Sequence, residues 1–240
     1  MKGPIADKSP IGSRAGQRPS EAIENYAKAI YALEQRGQVT NNALAERLGV
    51  TPASASSMVK KLGEMGLVEH IPYKGMKLTD SGRRVALEVL RHHRLLELYL
   101  AESLGVPWDR VHDEAEILEH VLSEELEELI AAKLGNPTHD PHGDPIPNAA
   151  LEIEEQATQP LSSLAPGAAG VFVRVSDSDP GMLRYLAELG ITPGDRFEVT
   201  DRQPFGGPVF ARFAGRVHPL GGELAAAMRV EPDQPLTRPA

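Results

Sequence analysis

Apolar residues in the first third of this 240-residue chain recur at helical steps and then give way to strand-like runs. From about Ser20 to Arg36, Ile23, Ala27, Ile30 and Tyr31 mark one helix face, with Ser20 placed as its N-cap. In "TNNALAERLGV", Leu44, Ala45 and Leu48 form a second apolar face that Gly49 ends. "TPASASSMVKKLGEMGL" opens a third helix with Thr51 as N-cap and Pro52 at the first helical position. "LVEHIPYKGMKLT" sets short β-type runs on either side of a Tyr73-Lys74-Gly75 turn. Short helices joined by a Gly-containing turn, then a hairpin, predict a winged helix-turn-helix over residues 20–80.

The pattern changes after residue 79. A long helix over 79–103 has apolar residues (Val85, Val89, Leu90, Leu95, Leu96, Leu98, Tyr99, Leu100) around most of its circumference near its C-terminal end. A helix apolar all round needs cover on several sides, and a second subunit is the expected source. Helices near 107–122 and 123–134 follow, completing a helical domain over 81–148. "GNPTHDPHGDPIPN" breaks the regularity with four Pro and two Gly and reads as a solvated connector rather than a metal loop. Residues 149–163 read as a linker. From 164 to 232, runs such as "GVFVRVSD", "DRFEVTDR" and "PVFARF" alternate with Gly/Pro turns and one helix, predicting a small β-barrel. There Tyr185 and Leu189, at i,i+4, are expected in the core. Residues 1–19 and 233–240 read as flexible tails.

Charge sharpens this division. The net charge is −9, yet residues 1–80 carry 11 Lys and Arg against 8 Asp and Glu. Residues 81–160 carry 6 against 17, and residues 161–240 carry 8 against 9. A mildly basic front thus precedes a strongly acidic middle. With no Cys, thiolate chemistry and disulfides are excluded, in keeping with a reducing cytoplasm. No apolar run approaches the length of a membrane span.

The acidic middle holds the candidate chemistry. In "VHDEAEILEH", His112, Glu116, Glu119 and His120 fall within an arc of roughly 100° on a helix. The arc borders a separate apolar stripe of Val111, Ala115, Leu118 and Leu122. No Lys or Arg occurs from Val111 to Ala132, so these carboxylates lack the usual i,i+4 partners and need another cation. His93 and Glu97, also i,i+4, can share one ion. The bland alternatives are a solvated acidic face and, for Glu97, an ion pair with Arg91 or Arg94. His92, about 100° from His93, is expected outside the site. His70 reads as structural or a phosphate contact. A carboxylate-bridged di-metal enzyme needs Glu-x-x-His on two helices, and a zinc peptidase needs His-Glu-x-x-His; neither pattern is present, so no enzyme is expected.

"HHRLLELYL" followed by "VHDEAEILEHVLSEELEE", with "LRYLAELGITPGDRFEV" through "FGGPVFARF", resembles the diphtheria-toxin-repressor family of iron- and manganese-dependent transcription repressors. The resemblance covers roughly residues 20–230. It implies a mainly α chain with α+β parts: a winged-helix DNA-binding domain, a helical dimerisation and metal-binding domain, and an SH3-like (FeoA-like) small β-barrel. It implies a primary metal site of Glu116, Glu119 and His120 and a second of His93, Glu97 and His112, with Asp179 as a further carboxylate from the SH3-like domain. The helix-one ligand position of the family is Asn25 here, and one turn on, where manganese members carry Glu, stands Lys28. Either Asn25 closes the primary site or helix one is tethered through Glu24 or Glu21. Oxygen donors at Glu116 lean towards Mn²⁺, with Fe²⁺ the alternative. The implied partners are a palindromic double-stranded DNA operator and a second copy of the chain, with no membrane and no small-molecule substrate. Thr51, Ser54 and Ser57 face DNA at the start of the recognition helix, and Lys60, Lys61 and Lys74 are phosphate candidates. A winged-helix regulator sensing an organic ligand is the remaining alternative.

Overall fold

The computed structural model describes residues 19–71, 75–154 and 156–233. The expected tails, apart from Pro19 and Asp233, and the phosphate candidate Lys74 lie outside them.

Three helices open the chain: α1 (Glu21–Glu34), α2 (Asn41–Arg47) and α3 (Pro52–Glu64). Thr40 and Thr51 cap α2 and α3 with their hydroxyls, as short polar side chains do at exposed helix starts. The wing is an antiparallel pair, β1 (Val68–Ile71) with β2 (Gly75–Leu78). Ile23, Ala27 and Ile30 of α1 meet Leu44, Leu62 and Leu78 in one core.

Helix α4 (Asp80–Leu104) is 25 residues long. It starts under a Thr79 cap and stops at Gly105, whose φ of 70° suits a residue without Cβ. Its first turns add Ala86 to the core of the head, while Leu95, Leu96 and Leu98 build a second core with Ala115, Leu122 and Ile130. One helix therefore spans two cores and carries the head on a rigid stalk. Helices α5 (Val111–Leu118) and α6 (Glu124–Lys133) complete this middle region. Most of the apolar girdle of α4 (Val89, Leu95, Leu96, Leu98, Leu100) is buried by the chain itself, with Val85, Leu90 and Tyr99 partly exposed. Exposed apolar side chains of the middle region include Leu104 at the end of α4 and Ile117, Val121 and Leu129 on α5, α6 and the turn between them, at 62%, 69%, 75% and 61%.

The C-terminal part is a six-stranded antiparallel sheet. Its strands are β3 (Gln159–Pro160), β4 (Ala169–Val175), β5 (Arg196–Arg202), β6 (Val209–Phe213), β7 (Arg216–Leu220) and β8 (Met228–Pro232), in the order β3-β8-β4-β5-β6-β7. Helix α7 (Pro180–Leu189) and the short α8 (Gly222–Ala227) pack with it. Phe172, Val199 and Leu220 form its core with Leu183 and Leu186 of α7. Leu189 packs against that core, but Tyr185 is exposed, because the buried stripe of α7 runs through Leu183 and Leu186.

The segment 135–148 corrects the expectation of a solvated connector. His142 is fully buried and Asp140 nearly so. The Asp140 carboxylate accepts from the backbone N–H groups of His142 and Asp144, at 2.8 and 2.9 Å, folding the segment on itself. Its outer side is fixed to β4, where the Val175 N–H donates to the His142 carbonyl. Gly143 has a φ of 86°, and a Cβ there would meet the Val173 carbonyl oxygen at 1.9 Å, so only glycine fits. The Pro and Gly residues build a tight, buried turn rather than a loose one.

Candidate metal centre

Helix α1 faces α5 through charged groups, not apolar ones. The Lys28 ammonium lies 2.6 Å from Oε1 of Glu116 and 2.6 Å from Oε1 of Glu119. One turn earlier, Glu24 Oε2 is 2.5 Å from His120 Nδ1. Glu119 is completely buried, and its other carboxylate oxygen is 2.5 Å from His93 Nδ1. His120 Nε2 is 3.3 Å from Glu119 Oε1 but has no hydrogen-bond partner. Asn25, between Glu24 and Lys28 on α1, has a buried amide oxygen that is likewise unpartnered. Buried polar atoms without partners are uncommon, and those on known donor types suit an ion. The Glu116 carboxyl is penalised by burial, yet Lys28 holds it below its ordinary value.

A second cluster surrounds Glu97, which is 1% exposed. Its Oε1 lies 3.0 Å from His93 Nε2 and 3.3 Å from His112 Nδ1. His112 Nδ1 also lies 2.9 Å from Asp177 Oδ2, which follows β4. The other oxygen of Glu97 faces His142 Nδ1 at 3.8 Å, beyond hydrogen-bond reach. His142 stacks on Trp108, and its Nε2–H donates to the Trp108 carbonyl at 2.7 Å, leaving Nδ1 buried and unpartnered. Burial works against charging His93 and His142, but carboxylates outweigh it and raise both to about 9: Glu119 and Glu97 for His93, chiefly Glu97 for His142. Asp177 and Glu97 raise His112 to about 10. Glu97 is held well below its ordinary value: burial opposes this, and His112, His142 and His93 outweigh it. Asp140 moves the other way, because burial and the nearby Asp144 and Glu97 charges disfavour its ionised form. His93 joins the two clusters, with Nδ1 on Glu119 and Nε2 on Glu97.

Three donor groups each have their ligand atoms within 4.8 Å of one another: His93, Glu116 and Glu119; His93, Glu97, His112 and Asp177; and Glu97, Asp140 and His142. His93, Glu97, His112, Glu116 and Glu119 thus converge as the spacing suggested, and His120 stands beside Glu119. Asp179 does not join them. It caps α7, accepting from the Gly181 and Met182 N–H groups, and the carboxylate that reaches His112 is Asp177. The surface-pair alternative for Glu97 fails as well, since Arg91 bonds Glu127 and the Pro147 carbonyl, and Arg94 bonds the Pro145 carbonyl. His92 lies behind the site, with Nδ1 3.1 Å from the Glu119 carbonyl oxygen and Nε2 2.9 Å from Glu127. Sequence reasoning missed Asp140, His142 and Asp177. The His-Asp-Pro-His-Gly-Asp spacing was the available signal, but it showed no rigidity until Gly143 met β4.

On the head, Thr51 and Ser54 are exposed and bonded hydroxyl to hydroxyl at 2.9 Å. Ser57, Lys60 and Lys61 are exposed on the same helix, and His70 on β1 is exposed. Lys60 lies 3.9 Å from Glu64, a weak surface pair that leaves it available to phosphate.

A winged head on a helical stalk, a buried cluster of carboxylates and imidazoles, and a C-terminal sheet reaching that cluster define a metal-dependent DNA-binding regulator. Family profiles match each part: the iron-dependent repressor N-terminal DNA-binding domain over residues 19–76, its metal-binding and dimerisation domain over 79–148, and the FeoA domain over 159–232. The chain is 32% identical over 224 residues to the iron-dependent repressor IdeR of Mycobacterium tuberculosis, covering 88% of this chain and 97% of that protein. It is 32% identical over 222 residues to the diphtheria toxin repressor of Corynebacterium efficiens, covering 88% and 95%. A solved manganese-dependent transcriptional repressor in complex with manganese superposes with a TM-score of 0.80 at 43% identity, covering 87% of this chain and 98% of that one. The chain belongs to the iron-dependent repressor family, whose members are metal-dependent, DNA-binding transcription repressors.

Proposed function

We propose that this protein is a manganese-responsive repressor that works in the cytoplasm, is not an enzyme, and controls metal-homeostasis genes as a homodimer. The observation that carries the reading is the meeting of α1, from the DNA-binding head, with Glu116, Glu119 and His120. The primary donors are Glu116, Glu119 and His120, with the Asn25 amide oxygen from α1. The second set is His93, Glu97, His112 and Asp177, with Asp140 and His142 on the far side of Glu97. A divalent ion held by these residues would add positive charge to carboxylates that Lys28 and the imidazoles neutralise only in part. Glu116, Glu119 and His120, with the Asn25 amide oxygen, would join the head to the stalk at a more fixed angle than the Lys28 and Glu24 contacts alone.

A dimer reads two half-sites only if its recognition helices lie about 34–36 Å apart. Fixing the head raises the share of dimers with that spacing, and DNA must tighten metal binding by the same factor. The exposed Ile117, Val121 and Leu129 supply an apolar face for the second copy within the region matched to the dimerisation domain. Thr51, Ser54 and Ser57 meet DNA, with Lys60, Lys61 and Lys74 on phosphates.

Oxygen and imidazole donors in a chain without Cys support manganese, as does the 43% identical manganese-dependent neighbour. The iron-dependent names of the curated relatives support iron as the second reading. Against an organic effector stands the convergence of carboxylates and imidazoles, in groups with their ligand atoms within 4.8 Å of one another, on the cleft where the three parts meet. The test is a DNA-binding titration of the chelated protein with Mn²⁺, anaerobic Fe²⁺ and Zn²⁺, using DNA selected from a random library, for wild type and Glu119→Ala. Binding that needs metal, prefers Mn²⁺ and is lost in the variant supports the reading. Metal-independent binding that ignores the substitution overturns it, and preference for Fe²⁺ moves it to the iron branch.

A further inference from the structure

We propose that the Lys28 ammonium is a resident cation of this centre, holding the space between Glu116 and Glu119 and competing with divalent ions for those carboxylates. The inference rests on the metal-centre reading above and concerns a residue outside its donor set. The ammonium is 2.6 Å from each carboxylate, and the two partners lie 88 and 91 residues away in sequence. The Lys28 side chain is only 17% exposed and Glu119 is fully buried, so this is not a solvated surface pair. No Lys or Arg occurs between Val111 and Ala132, so the cation these two carboxylates find comes from α1.

Two consequences follow. First, the tie between α1 and α5 exists in part without metal, because Lys28 belongs to the head and Glu116 to the middle region. Second, Lys28 already occupies one oxygen of each carboxylate, so its charge offsets part of the attraction that would draw divalent ions there. The buried, unpartnered His120 Nε2, 3.3 Å from Glu119, remains as a donor for one ion at the α1 end of the centre. Two ions side by side would need the place Lys28 holds. A glutamate at this position would reverse the local charge and supply a donor for a second ion.

The test is manganese binding to the full-length chelated protein, measured by equilibrium dialysis with metal quantification, for wild type, Lys28→Gln, Lys28→Glu and Lys28→Arg. Circular dichroism checks that each is folded. Lys28→Gln is expected to bind Mn²⁺ about tenfold more tightly, the scale of removing one close cation at a partly buried site. Lys28→Glu is expected to gain one ion per chain, and Lys28→Arg to keep the wild-type number. Without metal, the Gln variant is expected to melt at a lower temperature than wild type, with added Mn²⁺ closing the gap. Equal affinity and equal ion number across all four proteins, with wild type binding manganese, overturns the role of Lys28 and leaves the metal centre standing. No manganese on any of the four overturns both.

Discussion

The two ends of the charged centre neutralise their carboxylates by different means. At the α1 end, Lys28 bridges Glu116 and Glu119. At the far end, His93, His112 and His142 surround Glu97. A lysine ammonium is a compact point charge that donates hydrogen bonds and offers no lone pair, whereas an imidazole can shed its proton and become a metal ligand. The α1 end therefore resists metal with a fixed charge, and the Glu97 end resists it with protons. The lesson is that one helical domain can set two thresholds for the same ion through the kind of cation it keeps in reserve.

Breaking either end should reveal the asymmetry. The largest effect is expected for Glu119→Ala, which removes the carboxylate shared by Lys28, His93 and His120. Metal-dependent DNA binding should fall by about a hundredfold or more, the upper range for losing a centre's supporting contacts, measured by fluorescence anisotropy at saturating Mn²⁺. Retention within a few-fold would show that the α1 end does not govern the head. Next is Glu97→Gln, which strips three imidazoles of their common partner. Metal affinity should drop by about tenfold while the apo fold persists, since the Gln amide keeps the shape of the pocket. Calorimetry would detect this, and an unchanged isotherm would remove the Glu97 end from metal binding.

The proton reserve gives a pH signature. The folded, metal-free protein holds His93 and His142 at about 9 and His112 at about 10, all above the ordinary 6.5. Such raised values contribute stability that is fully present below about pH 6.5 and lost as pH climbs through 9 to 10. The apo melting temperature should therefore decline from about pH 6.5 to 10, and Glu97→Gln should flatten that decline. Manganese uptake at pH 7.5 should release protons, shown by heats that differ between buffers of different ionisation enthalpy, and affinity should rise with pH. A buffer-independent heat would mean these imidazoles are not ligands. The smallest effect is expected for Asp177→Asn against Asp179→Ala. The first should weaken metal binding a few-fold through His112; the second should leave it unchanged and cost about 1 kcal/mol as a lost helix cap, read by thermal melting. The reverse ranking would restore Asp179 as the donor from the C-terminal sheet.

Much of the protein was legible from its residues. Periodicity located α1 and α4, and with the Thr51 cap also α3, because a helix start needs an acceptor for its free N–H groups. Ser20, expected to cap α1, sits at its start without a side-chain cap bond, and the Thr79 cap of α4 went unread. The i,i+4 and i,i+3 spacings brought Glu116 and Glu119 onto one face and His93 with Glu97 onto another, since helix geometry is local. The absence of Lys and Arg from 111 to 132 stated that a cation was owed to that face. It could not state which, because Lys28 reaches it only through the packing of α1 on the middle region.

Tertiary structure alone decided the rest. Whether "THDPHGDP" was solvated or buried depended on Gly143 approaching the backbone of β4, a contact between segments thirty residues apart. Asp177 prevailed over Asp179 because α7 consumed the latter as its cap. Local sequence settles which side chains share an element. Only folding settles which elements bring opposite charges within reach, because Coulomb attraction at a few ångströms is strong in a buried site and negligible across an unfolded chain.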